Sequence, residues 1–289
     1  MIDDAATRAW SAEVEHRYQE RDAIVYALGL GLGADPMDPR QFRHLYEKDL
    51  RALPTMAAIL ASPGFWMRER RELRINASQL LHGEQAVRLH APLPAAGTVR
   101  GTTRVTRIVD KGADKGATLH VEKALHDART GEHLATTESV YWLRADGGFS
   151  QQPGARSDDA APPAEAMPTE EPELLLDLPT RPDQAFVYRL SGDANPLHVD
   201  PEVAAKAGFP RPILHGLATW GIAGWGLVRA FADGDAHRLA GLRARFSAPV
   251  FPGETIRLEC WRRAGRTAFR ARVLERNTLV LNQGWADWH

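Results

Sequence analysis

Apolar positions in the last third of the chain recur with two different periods. From Gly216 to Phe231 there is no proline, Arg229 is the only charge, and apolar or small side chains fall at every angle around a helical axis. This predicts a helix enclosed on nearly all sides. Gly221, Gly224 and Gly226 weaken a helix interior but let another backbone come close. After this helix the period drops to two. Leu242, Ala244 and Phe246 alternate with Arg243 and Arg245; Ile256, Leu258 and Cys260 with Arg257, Glu259 and Trp261; Phe269, Ala271 and Val273 with Arg270 and Arg272. Such alternation predicts half-buried antiparallel strands, with a fourth over 278–285. One buried helix followed by an antiparallel meander implies a curved sheet wrapped around it. Upstream, residues 183–190 predict a short helix stopped by Ser191 and Gly192. Asp200 and Pro201 open another as N-cap and first helical residue, ending at Gly208.

The first 150 residues repeat this order more loosely. Apolar stretches at 24–32 and 54–60 precede extended segments at 87–89, 99–109, 119–125 and 134–143, and Asp127 to Gly131 reads as a hairpin connection. Between the halves, residues 151–172 hold five prolines and five acids with Met167 as the only large apolar side chain. Such a segment buries too little surface to offset its ordering entropy, so it reads as a linker. The chain is therefore divided into 1–150, a linker at 151–172, and 173–289, the two halves being a structural duplication in the α+β class.

Charge and composition narrow the function classes. With 36 basic and 37 acidic residues the formal net charge is −1, which argues against a nucleic-acid partner. The single cysteine, Cys260, has no intrachain disulfide partner, and the acidic opening MIDDAATRAW is unlike an export signal, so a cytoplasmic location is expected. The last three residues, Asp287, Trp288 and His289, do not form the usual peroxisomal address. The uncharged stretch Ile213–Val228 is 16 residues long with four glycines, short of the roughly 20 apolar residues that span a bilayer, and no membrane partner is expected.

The chemistry concentrates in Tyr188–Trp220, YRLSGDANPLHVDPEVAAKAGFPRPILHGLATW. Asp193, Asn195 and His198 sit in a turn punctuated by Gly192 and Pro196. Pro196 pushes Asn195 out of the helical region, which lets the three polar side chains converge. A carboxylate and an imidazole that close can share one water, and the Asn195 amide can orient that water or hold one of the two rings in register. His215-Gly216 opens the buried helix, whose first N–H groups have no internal partner and lie at its positive end. An acid–base pair beside such a donor suits a reaction that builds an enolate-like oxygen while moving two protons.

This stretch resembles the signature of the MaoC-like, or type 2, (3R)-enoyl-CoA hydratases, particularly the hydratase portion of the peroxisomal multifunctional enzyme. The likeness continues through RPILHGLATWG and ARFSAPVFPGETI, and in the first half through YALGLGLG, LPT, LLHGEQ and DKG. It implies a double hot-dog fold, in which each half wraps an antiparallel sheet around a central helix, and reversible hydration of trans-2-enoyl-CoA to (3R)-3-hydroxyacyl-CoA. Asp193 and His198 match the family's acid–base dyad, Asn195 its supporting amide, and Gly216 the backbone donor to the thioester oxygen. The first half lacks an Asp-x-Asn-Pro-x-His sequence, so one active site per chain follows, with the first half accommodating the acyl chain. No cofactor is expected, the partner is an acyl-CoA, and a homodimer of two-unit chains is the expected assembly. Gly192, Pro196, His215, Arg211 and His82 are candidates for substrate binding.

Plainer readings stand beside these. Asp193 can form an Asx turn, His198 can be a satisfied interior histidine, and Asp200 reads as a helix cap. A metal site from Asp193, His198, Asp200 and His215 matches no compact ligand spacing. The GLGLG at 29–33 lacks the strand–turn–helix context of a dinucleotide site and reads as packing or turn. The strand arginines read as a solvated sheet face, although coenzyme A phosphates require local cations. A hot-dog thioesterase and a non-catalytic acyl-CoA binding module are the competing functions.

Overall fold

A computed structural model describes residues 1–289. It contains ten strands: β1 (Ser11–Tyr18), β2 (Leu80–Leu89), β3 (Gly97–Asp110), β4 (Ala117–Asp127), β5 (His133–Leu143), β6 (Leu174–Pro179), β7 (Leu239–Phe246), β8 (Thr255–Arg263), β9 (Arg266–Val273) and β10 (Thr278–Trp288). They form one sheet in the order β1-β3-β4-β5-β2-β7-β10-β9-β8-β6. The order is symmetric about the seam where β2 meets β7, with Val87 opposite Leu242, so each half supplies five strands in the same arrangement.

The strand order departs from a simple meander. β8, β9 and β10 do run in succession, but β7 pairs with β10 rather than β8, and β2 pairs with β5 rather than β3. Alternation reports which face of a strand is buried, not which strand lies beside it. The edge strands β1 and β6 also carry little pattern: β1 buries only Tyr18 fully, and β6 is a short LLLDLP whose Leu178 alone is fully buried.

The central helix of the second half runs from Gly216 to Phe231, and every residue from Ala218 to Val228 is buried. Each interior glycine admits a different neighbour. A Cβ at Gly221 would lie 2.7 Å from Leu30, at Gly224 2.9 Å from Leu242, and at Gly226 2.7 Å from Leu178. Gly226→Ala should gain about 1 kcal/mol in helix propensity but lose about 1–3 kcal/mol to overpacking. The expected net result is a melting temperature lower by a few degrees, checked by calorimetry.

The first half carries this helix in reduced form. Its longest helix, Glu20–Gly29, packs beside the short helix Gln184–Tyr188 of the second half. Under the first half's own sheet lies a 3₁₀ turn, Pro54–Ala58, with Thr55, Met56 and Ala57 buried. It is cut short by Ala61 at φ 49° and by Pro63-Gly64. Buried Lys123 on β4 donates to the Ala58 and Leu60 carbonyls at 3.0 and 2.5 Å, closing the turn's carbonyl end. A sheet around a long helix in one half, with the strand order repeated in the other, is the double hot-dog architecture.

Residues 152–172 contain no helix or strand, yet they follow the sheet face opposite the main core. Glu165 pairs with Arg243 and Arg266, Glu170 with Arg263, and the Trp261 indole N–H donates to the Glu170 carbonyl at 2.8 Å. Met167, the segment's one large apolar side chain, packs on the Trp261–Ala268–Trp285 cluster. The acids of this segment thus neutralise strand arginines that sequence alone leaves free.

Candidate active site

The turn carrying the polar residues is tied down by its own side chains. A 3₁₀ turn, Arg189–Ser191, ends at Gly192, whose φ of 110° is the left-handed geometry that glycine accepts at least cost. Asp193 Oδ1 accepts from the Asn195 N–H at 3.1 Å, and Asn195 Oδ1 accepts from the Leu197 N–H at 3.1 Å. Pro196 then opens the 3₁₀ turn Pro196–His198. The Asx turn and the catalytic reading of Asp193 are therefore compatible, because each uses a different carboxylate oxygen. Oδ2 faces His198 Nε2 at 4.0 Å.

The imidazole of His198 is oriented from behind. Its Nδ1–H donates to the Ile213 carbonyl at 2.8 Å, which leaves the lone pair on Nε2, toward Asp193. Burial pushes the His198 pKa below the ordinary histidine value, opposed by the Ile213 carbonyl and the Asp193 charge. A neutral ring with Nε2 free is a base competent to take a proton from water. The 4.0 Å gap is too long for a direct hydrogen bond and suits one bridging water.

His215 joins this pair to the central helix. It is 1% exposed, its Nε2–H donates to the Asp193 carbonyl at 3.2 Å, and its ring stacks on His198 with centroids 3.7 Å apart and planes 25° from parallel. Burial above all pushes its pKa down to about 3, so it stays neutral. It is also the N-cap of the helix, directly before Gly216. Gly216 is exposed while the helix beyond it is buried, so the positive end of the helix opens beside the Asp193–His198 pair.

The remaining candidates separate. His82, on β2 of the other half, is half-buried between Tyr141 and Phe246, at centroid distances of 4.9 and 5.0 Å. Phe246 in turn lies 3.4 Å from where a Gly216 Cβ would stand, so His82 is one ring away from the helix start. Its Nε2–H donates to the Glu84 carbonyl at 3.1 Å, and burial pushes its pKa down to about 4. Arg211 is not brought to the dyad: it is exposed, with its guanidinium 5.1 Å over the Phe251 ring. Gly192 and Pro196 are exposed turn residues, and the Asn195 amide oxygen caps a turn rather than reaching for a water. Phe246, read from sequence only as an inward strand residue, belongs to the site's wall, and Tyr188 lies buried behind His215.

Two alternatives lose their geometry. Donor atoms of Asp193, His198 and His215 lie within 4.8 Å of one another, but His198 Nδ1 and His215 Nε2 are committed to the Ile213 and Asp193 carbonyls, leaving the lone pairs on His198 Nε2 and His215 Nδ1 of two stacked rings, which do not converge on one ion. In the GLGLG segment, a Cβ at Gly29 would sit 3.0 Å from the Tyr188 Cα, while Gly31 and Gly33 have φ of 90° and 88°. These glycines serve packing and turns. No helix is long and apolar enough to cross a membrane.

Comparison with known proteins bears on the chain as a whole. Residues 163–283 match the MaoC like domain, and residues 16–145 match the MFE-2 hydratase 2 N-terminal domain. The 3-hydroxyacyl-thioester dehydratase Y of Mycobacterium tuberculosis is 40% identical, covering 94% of this chain and 92% of its own. The peroxisomal enoyl-CoA hydratase 2 of Arabidopsis thaliana is 36% identical, covering 95% and 91%. Among solved structures, a MaoC-like dehydratase from Phytophthora capsici superposes with a TM-score of 0.84 at 32% identity, covering 96% and 95%. A more distant Mycobacterium tuberculosis protein described as having a double hotdog fold aligns at a TM-score of 0.58 and 15% identity over 99% and 97%, which bears on fold alone. With both halves matched in order and relatives covered nearly end to end, the chain belongs to the MaoC-like hydratase and dehydratase family.

Proposed function

We infer that this protein is a hydro-lyase that adds water reversibly to trans-2-enoyl-CoA to give (3R)-3-hydroxyacyl-CoA. The observation that carries this reading is the Asp193 carboxylate facing the lone-pair side of a neutral His198 across 4.0 Å, beside the exposed first residue of the central helix. A thioester oxygen against the Gly216 N–H polarises the conjugated double bond and makes the β-carbon electrophilic. Water between Asp193 and His198 then attacks that carbon. The pair takes one proton from the water as its oxygen bonds to the β-carbon and returns one proton to the α-carbon, so the dyad ends in the protonation state in which it began and both additions occur on one face. Neither proton transfer calls for a cofactor. Relatives named enoyl-CoA hydratase and 3-hydroxyacyl-thioester dehydratase support the same chemistry.

The first half, without the catalytic turn and with its central helix reduced to Pro54–Ala58, is read as the part that accommodates the acyl chain, with His82 lining that space. The CoA end is read as lying on the outer side of the dyad, with the exposed Arg211, which donates to the Pro252 carbonyl at 3.4 Å and forms no ion pair, as a candidate for its phosphates. Buried Cys260, whose thiol burial pushes up to about 12, is inert and fits a reducing cytoplasm. Pairing of two such chains as a homodimer completes the reading.

The test is incubation with a trans-2-enoyl-CoA while following the conjugated thioester absorbance, free thiol and product chirality. Loss of absorbance with a 3R product and no thiol supports hydration; free thiol means hydrolysis, and unchanged absorbance with measurable binding means a binding module. The pH dependence adds a second check. Burial lowers the His198 pKa, so its neutral form persists below the ordinary value of 6.5. The acid-side half-maximal point of kcat/KM is expected below pH 6.5; a half-maximal point at or above 6.5 contradicts His198 as the neutral base.

A further inference from the structure

Behind the dyad, an acceptor without a donor stands beside a donor without an acceptor. His215 Nε2 is within 3.2 Å of the Asp193 carbonyl oxygen, so the ring proton is on Nε2 and Nδ1 carries the lone pair. That Nδ1 is buried and has no hydrogen-bond partner. The Tyr188 hydroxyl is equally buried and completes no hydrogen bond, although burial and the neighbouring Tyr26 hydroxyl push its pKa up; its ring centroid is 4.9 Å from that of His215. Arg189 Nε and Ser191 Oγ, in the turn following Tyr188, are also buried without partners. Buried polar groups are nearly always satisfied, and two complementary groups beyond direct reach are the usual setting for a shared buried water.

Tyr188 is held firmly in this position. A Cβ on Gly29 would come within 3.0 Å of the Tyr188 Cα and 3.3 Å of its ring, so a glycine there lets the tyrosine settle against the first half. Gln184, in the same short helix, donates to the Gly29 carbonyl at 2.7 Å. On the far side Tyr26, itself bonded to the Thr55 hydroxyl at 3.0 Å, packs at a ring distance of 5.9 Å.

The tautomer of His215 governs both members of the dyad. Its Nε2–H grips the main chain of Asp193, and its face carries the ring of His198 at 3.7 Å. Were the proton on Nδ1, a lone pair would face the Asp193 carbonyl and push that turn away. We propose that Tyr188 is a positioning residue for the Asp193–His198 pair: its hydroxyl donates to one buried water, which donates to Nδ1 of His215 and fixes the proton on Nε2. Tyr188 is 1% exposed and does not itself reach substrate.

This proposal rests on the hydratase reading for its kinetic readout but not for its spectroscopic one. Imidazole ¹⁵N spectra of the wild-type protein report whether His215 Nδ1 is unprotonated and accepts a hydrogen bond. In Tyr188→Phe, which keeps the ring and removes the hydroxyl, that resonance is expected to move toward an imidazole nitrogen accepting no bond. With trans-2-enoyl-CoA, kcat should fall about 10- to 100-fold while KM stays within about twofold, as for a misplaced catalytic group. A wild-type spectrum with the proton on Nδ1, or with Nδ1 free of any bond, overturns the proposal even if the variant fails to fold. So does an unchanged kcat in Tyr188→Phe, or a lowered kcat with an unmoved Nδ1 resonance. If no enoyl-CoA is hydrated, the functional reading fails while the spectra still decide the role of Tyr188.

Discussion

Asp193→Asn and His198→Gln are expected to fold as the parent does and to lose hydration of trans-2-enoyl-CoA by about 10²- to 10⁴-fold. The asparagine keeps an oxygen to accept the Asn195 N–H, now made by Oδ1 at 3.1 Å, so the turn has no reason to rearrange. What disappears is the charge on Oδ2, the oxygen that faces His198. Glutamine at 198 removes the imidazole whose Nδ1–H is held by the Ile213 carbonyl at 2.8 Å and whose Nε2 is thereby kept free for a proton. Melting temperatures and steady-state turnover, measured together, separate loss of chemistry from loss of fold. Turnover near the parent value in either variant would remove that residue from the mechanism.

A second large effect is expected from Gly216→Pro. Proline is tolerated at the first position of a helix, where its missing N–H has no intrahelical acceptor, and it demands an extended residue before it. His215, with φ −57° and ψ 136°, already has that conformation, and a Cβ at 216 would meet only the Phe246 ring at 3.4 Å. The helix should form as before, but the amide that polarises the thioester is gone. Removal of one such donor lowers kcat about 10²- to 10³-fold. Gly216→Ala keeps the N–H and is the control, expected to lose far less. Equal activity of the two variants would assign the polarising donor elsewhere.

The parts of the structure legible in the sequence are those in which local pattern and local chemistry coincide. The limits of the helix Gly216–Phe231 follow from an uncharged run bounded by a glycine and a change of period, and the spacing of Asp193 and His198 in a proline-bearing turn points to their convergence. Long-range pairing is less visible. Nothing in the alternation of β7 indicates that its neighbours are β10 and β2, because a strand's pattern records its buried face and not its partner. The Asn195 amide oxygen is committed to the Leu197 N–H, a local bond that the spacing does not express, while its amide nitrogen stays open to orienting water or holding a ring. His82 reaches the helix start through Phe246, a contact across the seam between halves that no spacing along the chain expresses. The linker composition indicates an absence of regular structure but not the pairing of Glu165 and Glu170 with strand arginines, which depends on where the segment is laid.

The most direct measurement is a crystal structure of Asp193→Asn with a bound (3R)-3-hydroxyacyl-CoA. The 3-hydroxyl oxygen should lie within about 3 Å of both the side chain at 193 and Nε2 of His198, with the thioester oxygen about 3 Å from the Gly216 nitrogen. A product hydroxyl remote from those two side chains, or a thioester oxygen held by another donor, would contradict the account.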